Sequence, residues 1–569
     1  MMKLQQLKGA ADRIELATLL GFQPKALAYI VYKKPSALKY FPFQIQKRSG
    51  GLRTIHAPVA DLKKLQQRLS DLLQDCISDI NEGKKISGAI SHGFRRKKSI
   101  ITNARCHRGK RWVLNLDLAD FFDTINFGRV RGFFLKNNNF SLVPEVATTI
   151  AQIACHNNAL PQGSPCSPVI SNLVAHVLDI RLAKLAEQCG CDYSRYADDL
   201  TFSTNKRRFP VALAKRKTPG SDGWEVGKQL SNIIQKSGFS INAIKTRMQY
   251  CDSRQDVTGL VVNSKVNVRC EYERTTRAMV HRLLTKGAFY VVKYEPDLFG
   301  EMSPKQEPGT LNQLQGMLSF VNHIKKSNWN DSNPIPREWV GHECTYRDFL
   351  FHKEFYANPV PLILCEGKTD NIYLKCAIRS LVAKVPKLGE KKAAKTEFKI
   401  RFMSYTDTTA RILNLSGGTG DLNRLVSAYK REWKRHLTGH LNQPVIILID
   451  NDKGASTLFN AIKNATGITV TGNETFIHVC HNLYVVLTPK GKNGADTMIE
   501  DFFPQSVWKE KHKGRAFNPK LTTGSTTEYG KYIFAERIVR PKQAKINFSK
   551  FLPILKRIEG AIHHYAAQP

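Results

Sequence analysis

Two adjacent carboxylates, Asp198 and Asp199, lie between short apolar segments typical of strands. Two acids this close repel each other unless a cation neutralises them. A third acid, Asp117, ends the apolar run 113–116. Two divalent cations held by such acids activate a hydroxyl and stabilise a departing pyrophosphate. Because Mg²⁺ keeps waters and substrate phosphates as ligands, few protein ligands are needed. The three acids therefore predict a nucleotidyl-transfer site that uses Mg²⁺ or Mn²⁺.

The residues around these acids fit a nucleotide pocket. Phe121 and Phe122 follow Asp117, and an aromatic ring beside the sugar would exclude a 2′-hydroxyl and so select deoxynucleotides. The segment 160–168 holds three prolines and a glycine, which forbid a regular helix and set a rigid turn. Such a turn can place a backbone edge against a nucleotide or template.

Residues 112–122, 160–168 and 196–199 resemble the motifs of reverse transcriptases, in the same order, and the resemblance covers roughly residues 40–300. Within that family, the Asn-Ala-x-x-His element 103–107 and the Val-Thr-Gly element 257–259 are similar to those of retron reverse transcriptases. The resemblance implies an enzyme that folds around its own noncoding RNA. It would start DNA synthesis from a guanosine 2′-OH and keep the branched RNA–DNA product (msDNA) bound.

The resemblance also implies roles for particular residues. Metal ions would be held by Asp117, Asp198 and Asp199. The incoming deoxynucleoside triphosphate and the template would meet Arg53, Phe122 as the sugar gate, Gln162, Gly163 and Lys245. The cognate RNA would contact Asn103, His107 and the basic helix 271–290, through Arg274 and Arg277.

A second set of acids lies at predicted strand ends in the C-terminal half. Glu366 follows the apolar run 360–365, and Asp450 and Asp452 follow the run 445–449. The carboxyl ends of parallel strands meet at one edge of a sheet, where such folds place their sites. Mg²⁺ bound there would serve phosphodiester chemistry.

The order Glu-Gly, then Asp-x-Asp, resembles a Toprim domain over residues 359–505. Asp370, Glu500 and Lys531 resemble later motifs of the nuclease branch seen in overcoming-lysogenization-defect proteins. The resemblance implies metal ligands at Glu366, Asp370, Asp450, Asp452 and Glu500. Lys531 would stabilise charge on the phosphate.

Composition agrees with a nucleic-acid partner. The chain has 569 residues, with 86 Lys and Arg against 48 Asp and Glu, a formal net charge of +38. A chain this basic needs a polyanionic partner, and nucleic acid is the commonest. No apolar run is long enough to span a bilayer and the N-terminus has no signal-peptide core, which predicts a cytoplasmic protein without a membrane partner.

The sequence predicts a multidomain protein with α/β and α+β parts. Apolar strands that alternate with helices predict a doubly wound α/β domain in the C-terminal half, and the resemblance implies a right-hand reverse transcriptase of fingers, palm and thumb followed by a Toprim domain. A hairpin is expected over 40–58, a helix over 61–80, loops or linkers over about 298–340, and a domain break near 345–358. The predicted divisions are a helical unit 1–40, fingers and palm 41–265, thumb helices and linker 266–345, the Toprim domain 359–505 and an extension 506–569.

The whole chain thus resembles a retron reverse transcriptase fused to a Toprim nuclease effector, which implies antiphage defence. Three alternatives stay open. One is a mobile-element reverse transcriptase, one a C-terminal scaffold that binds metal and nucleic acid without cutting, and one a primase-like Toprim. The sequence leaves open whether the nuclease target is DNA, messenger RNA or transfer RNA, and whether the chain forms a homo-oligomer.

Overall fold

The computed structural model describes residues 2–46, 51–83, 90–218, 223–296, 302–329, 338–393, 395–436, 443–521 and 525–568. By contacts between residues the chain divides into two compact units. The N-terminal unit comprises Met1–Tyr272 and His323–Ile335, and the C-terminal unit comprises Glu273–Asn322 and Pro336–Pro569. Two of the three divisions, at 272/273 and 322/323, fall within the helices Cys270–Lys286 and Leu311–Lys326.

The N-terminal unit is an α+β body. Its helices are α1 (Lys3–Gly9), α2 (Arg13–Leu19), α3 (Pro24–Ala28), α4 (Ala60–Gly83), α5 (Ile100–Cys106), α6 (Phe127–Lys136), α7 (Pro144–Ala154), α8 (Ser167–Cys189) and α9 (Lys228–Lys236). Its strands are β1 (Tyr40–Gln46), β2 (Leu52–Pro58), β3 (Trp112–Ala119), β4 (Asp192–Tyr196), β5 (Asp199–Thr204), β6 (Ala214–Arg216), β7 (Trp224–Val226), β8 (Ser240–Ile241), β9 (Arg247–Tyr250), β10 (Asp256–Val257) and β11 (Leu260–Val261).

An antiparallel sheet in the order β4-β5-β3-β8 organises this unit, and β9 also pairs with β3. Inward residues of β3 and β5, such as Leu114, Leu116 and Phe202, pack in one core with the apolar faces of α4, α7 and α8. Leu16 and Leu27 of the N-terminal helices belong to the same core. The predicted helical unit 1–40 therefore folds onto the palm and has no separate core.

The sequence also predicted the hairpin and helix that precede the palm. Strands β1 and β2 pair in register from Tyr40↔Pro58 to Gln46↔Leu52, as expected for the hairpin 40–58, while most of its turn, 47–50, lies outside the described residues. The helix expected over 61–80 is α4, whose leucines repeat at helical spacing and face the core.

The C-terminal unit contains a second, larger set of elements. Its helices are α10 (Cys270–Lys286), α11 (Leu311–Lys326), α12 (Gly341–Phe351), α13 (Asp370–Leu381), α14 (Asp407–Ile412), α15 (Thr419–Trp433), α16 (Ser456–Thr466), α17 (Gln505–Trp508), α18 (Lys531–Ile533), α19 (Arg540–Lys542) and α20 (Leu552–Ala566). Its strands are β12 (Tyr290–Pro296), β13 (Met302–Pro308), β14 (Leu362–Cys365), β15 (Gly389–Lys392), β16 (Lys395–Phe398), β17 (Arg401–Phe402), β18 (Val445–Ile449), β19 (Ile477–Cys480), β20 (Leu483–Leu487), β21 (Ala516–Phe517) and β22 (Glu528–Tyr529).

A five-stranded sheet in the order β17-β14-β18-β20-β19 forms the centre of this unit. All neighbours are parallel except the edge pair β19–β20. Alternate side chains of β14 enter two cores, with Ile363 and Cys365 on one face and Leu362 and Leu364 on the other. Burial on both faces explains why the strands are continuous apolar runs. The architecture is the doubly wound α/β type expected from the sequence.

Three predicted boundaries differ from the structure. Residues 298–340 were expected to be loop or linker, yet they include β13 and the 16-residue helix α11. Leu314 and Leu318 of α11 share a core with Phe349 of α12, so α11 is a packed helix. The Gly, Pro and Asn residues that flank it are typical of loops, and for that reason the sequence did not predict the helix. The break predicted near 345–358 falls on α12 itself, and residues 273–322 cluster with the C-terminal unit.

The predicted extension 506–569 is also part of a larger body. Ile554 and Ile558 of α20 pack in the same core as Ile363 of β14. The sheet and the C-terminal helices are therefore one structural unit.

Among the described residues, no single helix has both the length and the apolarity to cross a membrane. A pair of helices bent by 108°, Arg13–Leu19 and Pro24–Lys33, meets those two criteria together.

Candidate functional site

The hairpin β4–β5 carries the paired carboxylates of the N-terminal unit. Its turn places Ala197 at φ 57°, a left-handed conformation that is costly for a residue with a Cβ. Strand β3 lies beside β5 with Asp117 opposite Asp199, and the N–H of Leu118 donates to the carbonyl of Asp198 at 3.0 Å. Strand pairing thus brings together the three acids that the sequence singled out.

The electrostatics of these acids favour a cation. Burial, followed by repulsion from Asp198 and Asp117, raises the pKa of Asp199 to about 7, although water on its exposed side moderates that effect. Burial also raises the pKa of Asp198. Lys245 Nζ lies 2.9 Å from Asp117 Oδ2 and neutralises part of the charge. The remaining negative charge suits a divalent ion.

Among the described residues, no three His, Cys, Asp or Glu side chains enclose a metal ion by themselves. Mg²⁺ is commonly held by one or two carboxylates together with substrate phosphates and water. The open arrangement of Asp117 and Asp198 at a cleft is compatible with that mode of binding.

A cleft of about 1560 Å³ opens in front of Asp117 and Asp198. Arg53, Phe122, Gln162 and Lys245 all line it, so the structure brings these predicted residues to one cavity. Its volume exceeds that of typical small-molecule pockets, as expected if a nucleotide and a paired strand share it.

Gly163 has a positioning role at this cleft. Its φ is 119°, and a Cβ at this position would lie 2.6 Å from the carbonyl oxygen of His56 on β2. The N–H of His56 donates to the carbonyl of Gln162 at 2.8 Å. A glycine is needed here because the turn lies against the strand that carries Arg53.

A second cavity of about 480 Å³ lies beside the first. Asp117 lines both cavities, whereas Asp199 lines only the second and Asp198 only the first. Arg247, Thr258 and Gly259 also line the second cavity. The side chains of Asp198 and Asp199 therefore point into two neighbouring cavities.

The side chains of Asn103 and His107 support the fold, and their expected role in binding RNA remains a prediction. Both side chains are fully buried. His107 hydrogen-bonds Ser203 Oγ through Nδ1 and Ser194 Oγ through Nε2, each at 2.7 Å, and Ser194 Oγ donates to Asn103 Oδ1 at 2.7 Å. Burial lowers the pKa of His107 to about 3, so the ring is neutral. These residues fix α5 to the hairpin that carries the paired acids.

Arg195 is a site-supporting residue that sequence reasoning missed. Its guanidinium is completely buried and forms a bidentate pair with Asp179, with two distances of 2.7 Å. Its Nη1 donates to the carbonyl of Ala197 at 3.0 Å and to Asn172 Oδ1 at 3.1 Å. Arg195 therefore holds the left-handed turn. An arginine at an inward strand position next to the paired acids was the available signal.

The helix expected to bind an RNA stem is α10. Arg274 and Arg277 are both exposed on it, so they are available to a phosphate backbone. Their RNA contact remains a prediction.

A second set of acids converges in the C-terminal unit. Glu366 follows β14, Asp450 follows β18, Asp370 begins α13, and Glu500 lies in the 3₁₀ turn Ile499–Phe502. The N–H of Ile499 donates to Asp450 Oδ1 at 2.8 Å, and the N–H of Gly367 donates to Asp370 Oδ2 at 2.7 Å.

Two further side chains complete this cluster. Thr419 Oγ1 donates to Glu366 Oε1 at 2.8 Å, which ties the glycine-rich loop before α15 to the end of β14. Lys531 Nζ lies 3.0 Å from Glu500 Oε2. The structure thus assembles Glu366, Asp370, Asp450, Glu500 and Lys531 from segments far apart in the sequence.

These acids are short of positive charge. Burial, with repulsion from neighbouring acids, raises the pKa of Asp370 to about 7 and that of Asp450 to about 8. Burial likewise raises the pKa of Glu500, whose side chain is fully buried and whose carboxylate oxygens accept no well-aligned hydrogen bond. Lys531 offsets only part of the charge. Buried carboxylates in this state fit Mg²⁺ or Mn²⁺ as a group.

Asp452 has a different position from the one expected. Its side chain is exposed and accepts a hydrogen bond from the N–H of Gly454 at 2.8 Å, so that it caps the 3₁₀ turn Lys453–Ala455. Asp-x-Asp spacing on an ordinary strand puts both side chains on one face, but the chain leaves β18 at Ile449 and Asn451 is buried between the two acids.

Comparisons with known proteins now place the N-terminal unit. The reverse transcriptase (RNA-dependent DNA polymerase) family model matches residues 45–277. The Retron Ec86 reverse transcriptase of Escherichia coli is 32% identical over 260 residues, which cover 46% of this chain and 74% of that protein. The Retron Mx162 reverse transcriptase of Myxococcus xanthus is 32% identical over 329 residues, covering 54% of this chain and 62% of that protein.

The fold and carboxylate site define a reverse transcriptase as the class of the N-terminal unit. The chain belongs to the retron reverse transcriptase family. It spans about three fifths of the length of the Mx162 and Mx65 relatives. Among solved structures, apo telomerase from Candida tropicalis aligns with a TM-score of 0.30 and 11% identity over 55% of this chain and 61% of that one, too low to bear on the fold.

Proposed function

We propose that this chain is a retron RNA-directed DNA polymerase that makes a branched RNA–DNA hybrid from its own noncoding RNA. The observation that carries the proposal is the strand pairing of Asp117 with Asp199, beside Asp198 at a large cleft. Family membership and the net charge of +38 support it.

The residues of the cleft have distinct parts in this proposal. Asp117, Asp198 and Asp199 would hold Mg²⁺, and a bound Mg²⁺ would supply activation of the attacking hydroxyl and stabilisation of the pyrophosphate. Arg53 and Lys245 neutralise triphosphate charge, Gln162 and Gly163 form the floor for the template–nucleotide pair, and Phe122 packs where a 2′-hydroxyl would otherwise fit. Arg195 keeps the paired acids at the required angle through the Ala197 carbonyl.

The deciding experiment is on nucleic acid that co-purifies with the full chain. We expect a small DNA joined to RNA, sensitive in part to RNase and in part to DNase, and absent from Asp198→Ala protein. Asp192→Ala is the matched control, because Asp192 is an exposed acid on the same hairpin. RNA alone in the wild-type preparation, or the hybrid in the Asp198→Ala preparation, would rule out the proposal.

We further propose that the C-terminal unit is a Toprim-like metal-dependent nuclease acting as an effector in antiphage defence. The buried cluster of Glu366, Asp370, Asp450 and Glu500 beside Lys531 supports this function over a scaffold, because a lysine next to the acids can stabilise the charge that develops on a phosphate during cutting. In this proposal the bound hybrid restrains the nuclease until it is damaged.

The nuclease is tested on protein stripped of its hybrid, with labelled DNA, messenger RNA and transfer RNA as substrates. We expect metal-dependent cutting of one class, lost in Asp450→Ala and retained in Asp496→Ala, an exposed acid paired with Lys490. Growth arrest by Asp450→Ala protein would favour the scaffold instead. Nucleotide incorporation that survives Asp198→Ala would favour a primase.

A further inference from the structure

A two-stranded β-ribbon in the C-terminal unit has no part in either proposed site. Strands β12 and β13 pair only with each other among the described residues, from Tyr290↔Pro308 to Pro296↔Met302. Tyr290, Val292 and Tyr294 alternate along β12 and are 42%, 53% and 60% exposed. Alternate residues of a strand share one face. The ribbon therefore presents two tyrosine rings and a valine on a single open face.

The opposite strand adds flat apolar surface to that face. Pro308, Gln306 and Pro304 stand directly across from the three exposed residues of β12. The base of the ribbon is held firmly: the N–H of Gly309 donates to the carbonyl of Phe289 at 2.9 Å, and a Cβ on Gly309 would collide with the buried Phe289 ring. The exposed rings are thus presented on an anchored element.

The tyrosine face meets the basic helix α10 at Arg282. The exposed cations Arg274, Arg277, Arg282 and Lys286 lie on α10, directly before the ribbon. The Arg282 guanidinium lies 5.5 Å above the centre of the Tyr290 ring. A phosphate backbone lying along α10 would accordingly lead its bases toward the rings of the ribbon. Proteins that bind single strands combine such a basic track with aromatic rings on which bases stack.

We propose that the ribbon face formed by Tyr290, Val292 and Tyr294 binds an unpaired stretch of RNA, continuous with a stem held on α10. The proposal rests on the proposed function in that the RNA would be the noncoding RNA of the retron. The charge of α10 favours a nucleic acid over a second protein chain. The two tyrosines are four residues apart, roughly 14 Å along the strand, so each ring can take a separate base.

The test compares two double variants of the full chain, freed of nucleic acid in high salt. Y290L/Y294L removes the rings and keeps apolar bulk, whereas Y290F/Y294F keeps the rings. Binding is measured by fluorescence anisotropy with labelled twelve-nucleotide oligouridylate and with an RNA duplex of twelve base pairs. We expect the leucine variant to lose tenfold or more in affinity for the single strand. The phenylalanine variant should stay within about twofold, and duplex binding by both should be unchanged.

Three results would overturn the proposal: equal single-strand binding by the leucine variant, an equal loss for strand and duplex, or a change in self-association with RNA binding intact. The salt dependence of duplex binding should stay constant, because the phosphate contacts of α10 remain.

A second arm separates RNA from DNA as the occupant. In an Asp198→Ala background no DNA is made, and the leucine variant should still retain less co-purified RNA than the phenylalanine variant. A loss seen only when DNA is made would assign the ribbon to DNA and overturn the proposal. Extension of a pre-annealed primer on a homopolymer tests the polymerase separately, so failure of the ribbon and failure of the proposed polymerase remain distinguishable.

Discussion

The two units each gather carboxylates, but they do so in opposite ways. In the N-terminal unit Asp117, Asp198 and Asp199 come from one antiparallel sheet and face two open cavities. In the C-terminal unit Asp370 and Glu500 are buried and come from a helix start and a 3₁₀ turn. The first arrangement leaves room for a large substrate to supply ligands. The second keeps its acids largely inside the fold.

The attached cations differ in the same way. Lys245 is half-exposed and bonds Asp117 at the rim of the cleft, where an arriving phosphate can attract it away. Lys531 pairs with a fully buried Glu500. The comparison teaches that one set of acids opens onto a cleft whereas the other is largely enclosed by the fold, and each of the following tests addresses that difference.

The largest expected effect is loss of one activity without the other. Asp198→Ala should lower DNA synthesis by roughly a thousandfold or more, since metal stabilisation of the transition state is worth several kcal/mol. It should leave nucleic-acid cutting intact, because the acids of the C-terminal cluster lie in the other structural unit and have different neighbours. Asp450→Ala should do the reverse. Primer extension and cutting assays on both proteins check this, and loss of both activities in either variant would contradict two independent sites.

Lys531→Met should reduce cutting by about a hundredfold or more, as removal of one stabilising donor does. It should also destabilise the fold, because Glu500 would be left buried without a counter-charge. Adding Glu500→Gln should restore part of the thermal stability but none of the cutting. Recovery of cutting in the double variant would show that Lys531 acts only as a structural partner.

Arg195→Met should reduce DNA synthesis by about a hundredfold and destabilise the protein by roughly 3–5 kcal/mol, because Asp179 loses its buried partner. Adding Asp179→Asn should recover stability without activity, since the Ala197 carbonyl still lacks its donor. Chemical denaturation and primer extension give the two readouts. A shift in the Mg²⁺ concentration for half-maximal activity would identify a positioning role, whereas full recovery of activity in the double variant would refute it.

The pH dependence of the free energy of unfolding should reveal the titration of the buried acids in the C-terminal cluster. The pKa of Asp450 is raised to about 8 and that of Asp370 to about 7, both well above the unfolded value near 3.9. The folded state therefore binds more protons between about pH 4 and 8, and the free energy of unfolding falls as pH rises through that window.

Without metal, Asp450→Asn should consequently be more stable than wild type at pH 8, by on the order of 2 kcal/mol, and equal to it near pH 4. Mg²⁺ should stabilise wild type at pH 8 and not the variant. Urea denaturation at several pH values measures this. An advantage of the variant that is constant with pH would exclude titration of these acids as the cause.

The smallest effect concerns sugar selection. Phe122→Ala should raise the use of ribonucleotides relative to deoxynucleotides by about tenfold if Phe122 is the proposed sugar gate, since its ring lines the same cleft as Asp117. Leu52→Ala is the control, since Leu52 lines the same cleft, is exposed on β2 and was not predicted as a gate. Equal effects of the two substitutions on sugar preference would contradict a specific role of Phe122 in excluding the 2′-hydroxyl.

Much of the site was predictable because local pattern and local chemistry agree. The alternation around Asp198 and Asp199 predicts the hairpin β4–β5, and the apolar runs before Glu366 and Asp450 predict strands buried on both faces. Strand pairing then brings Asp117 opposite Asp199. Acids at strand ends can be assigned to one site from the sequence, because pairing of the strands in a sheet brings those ends close together.

Other features depended on packing between distant segments. Burial turned Asn103 and His107 into supports for the hairpin, and only the tertiary fold paired Arg195 with Asp179. Residues 298–340 have loop composition, but α11 is stabilised by the core it joins. Residue types and spacing thus identified both carboxylate sets. The tertiary structure decided which polar side chains are exposed to a ligand and which are buried, because burial is a property of the whole fold.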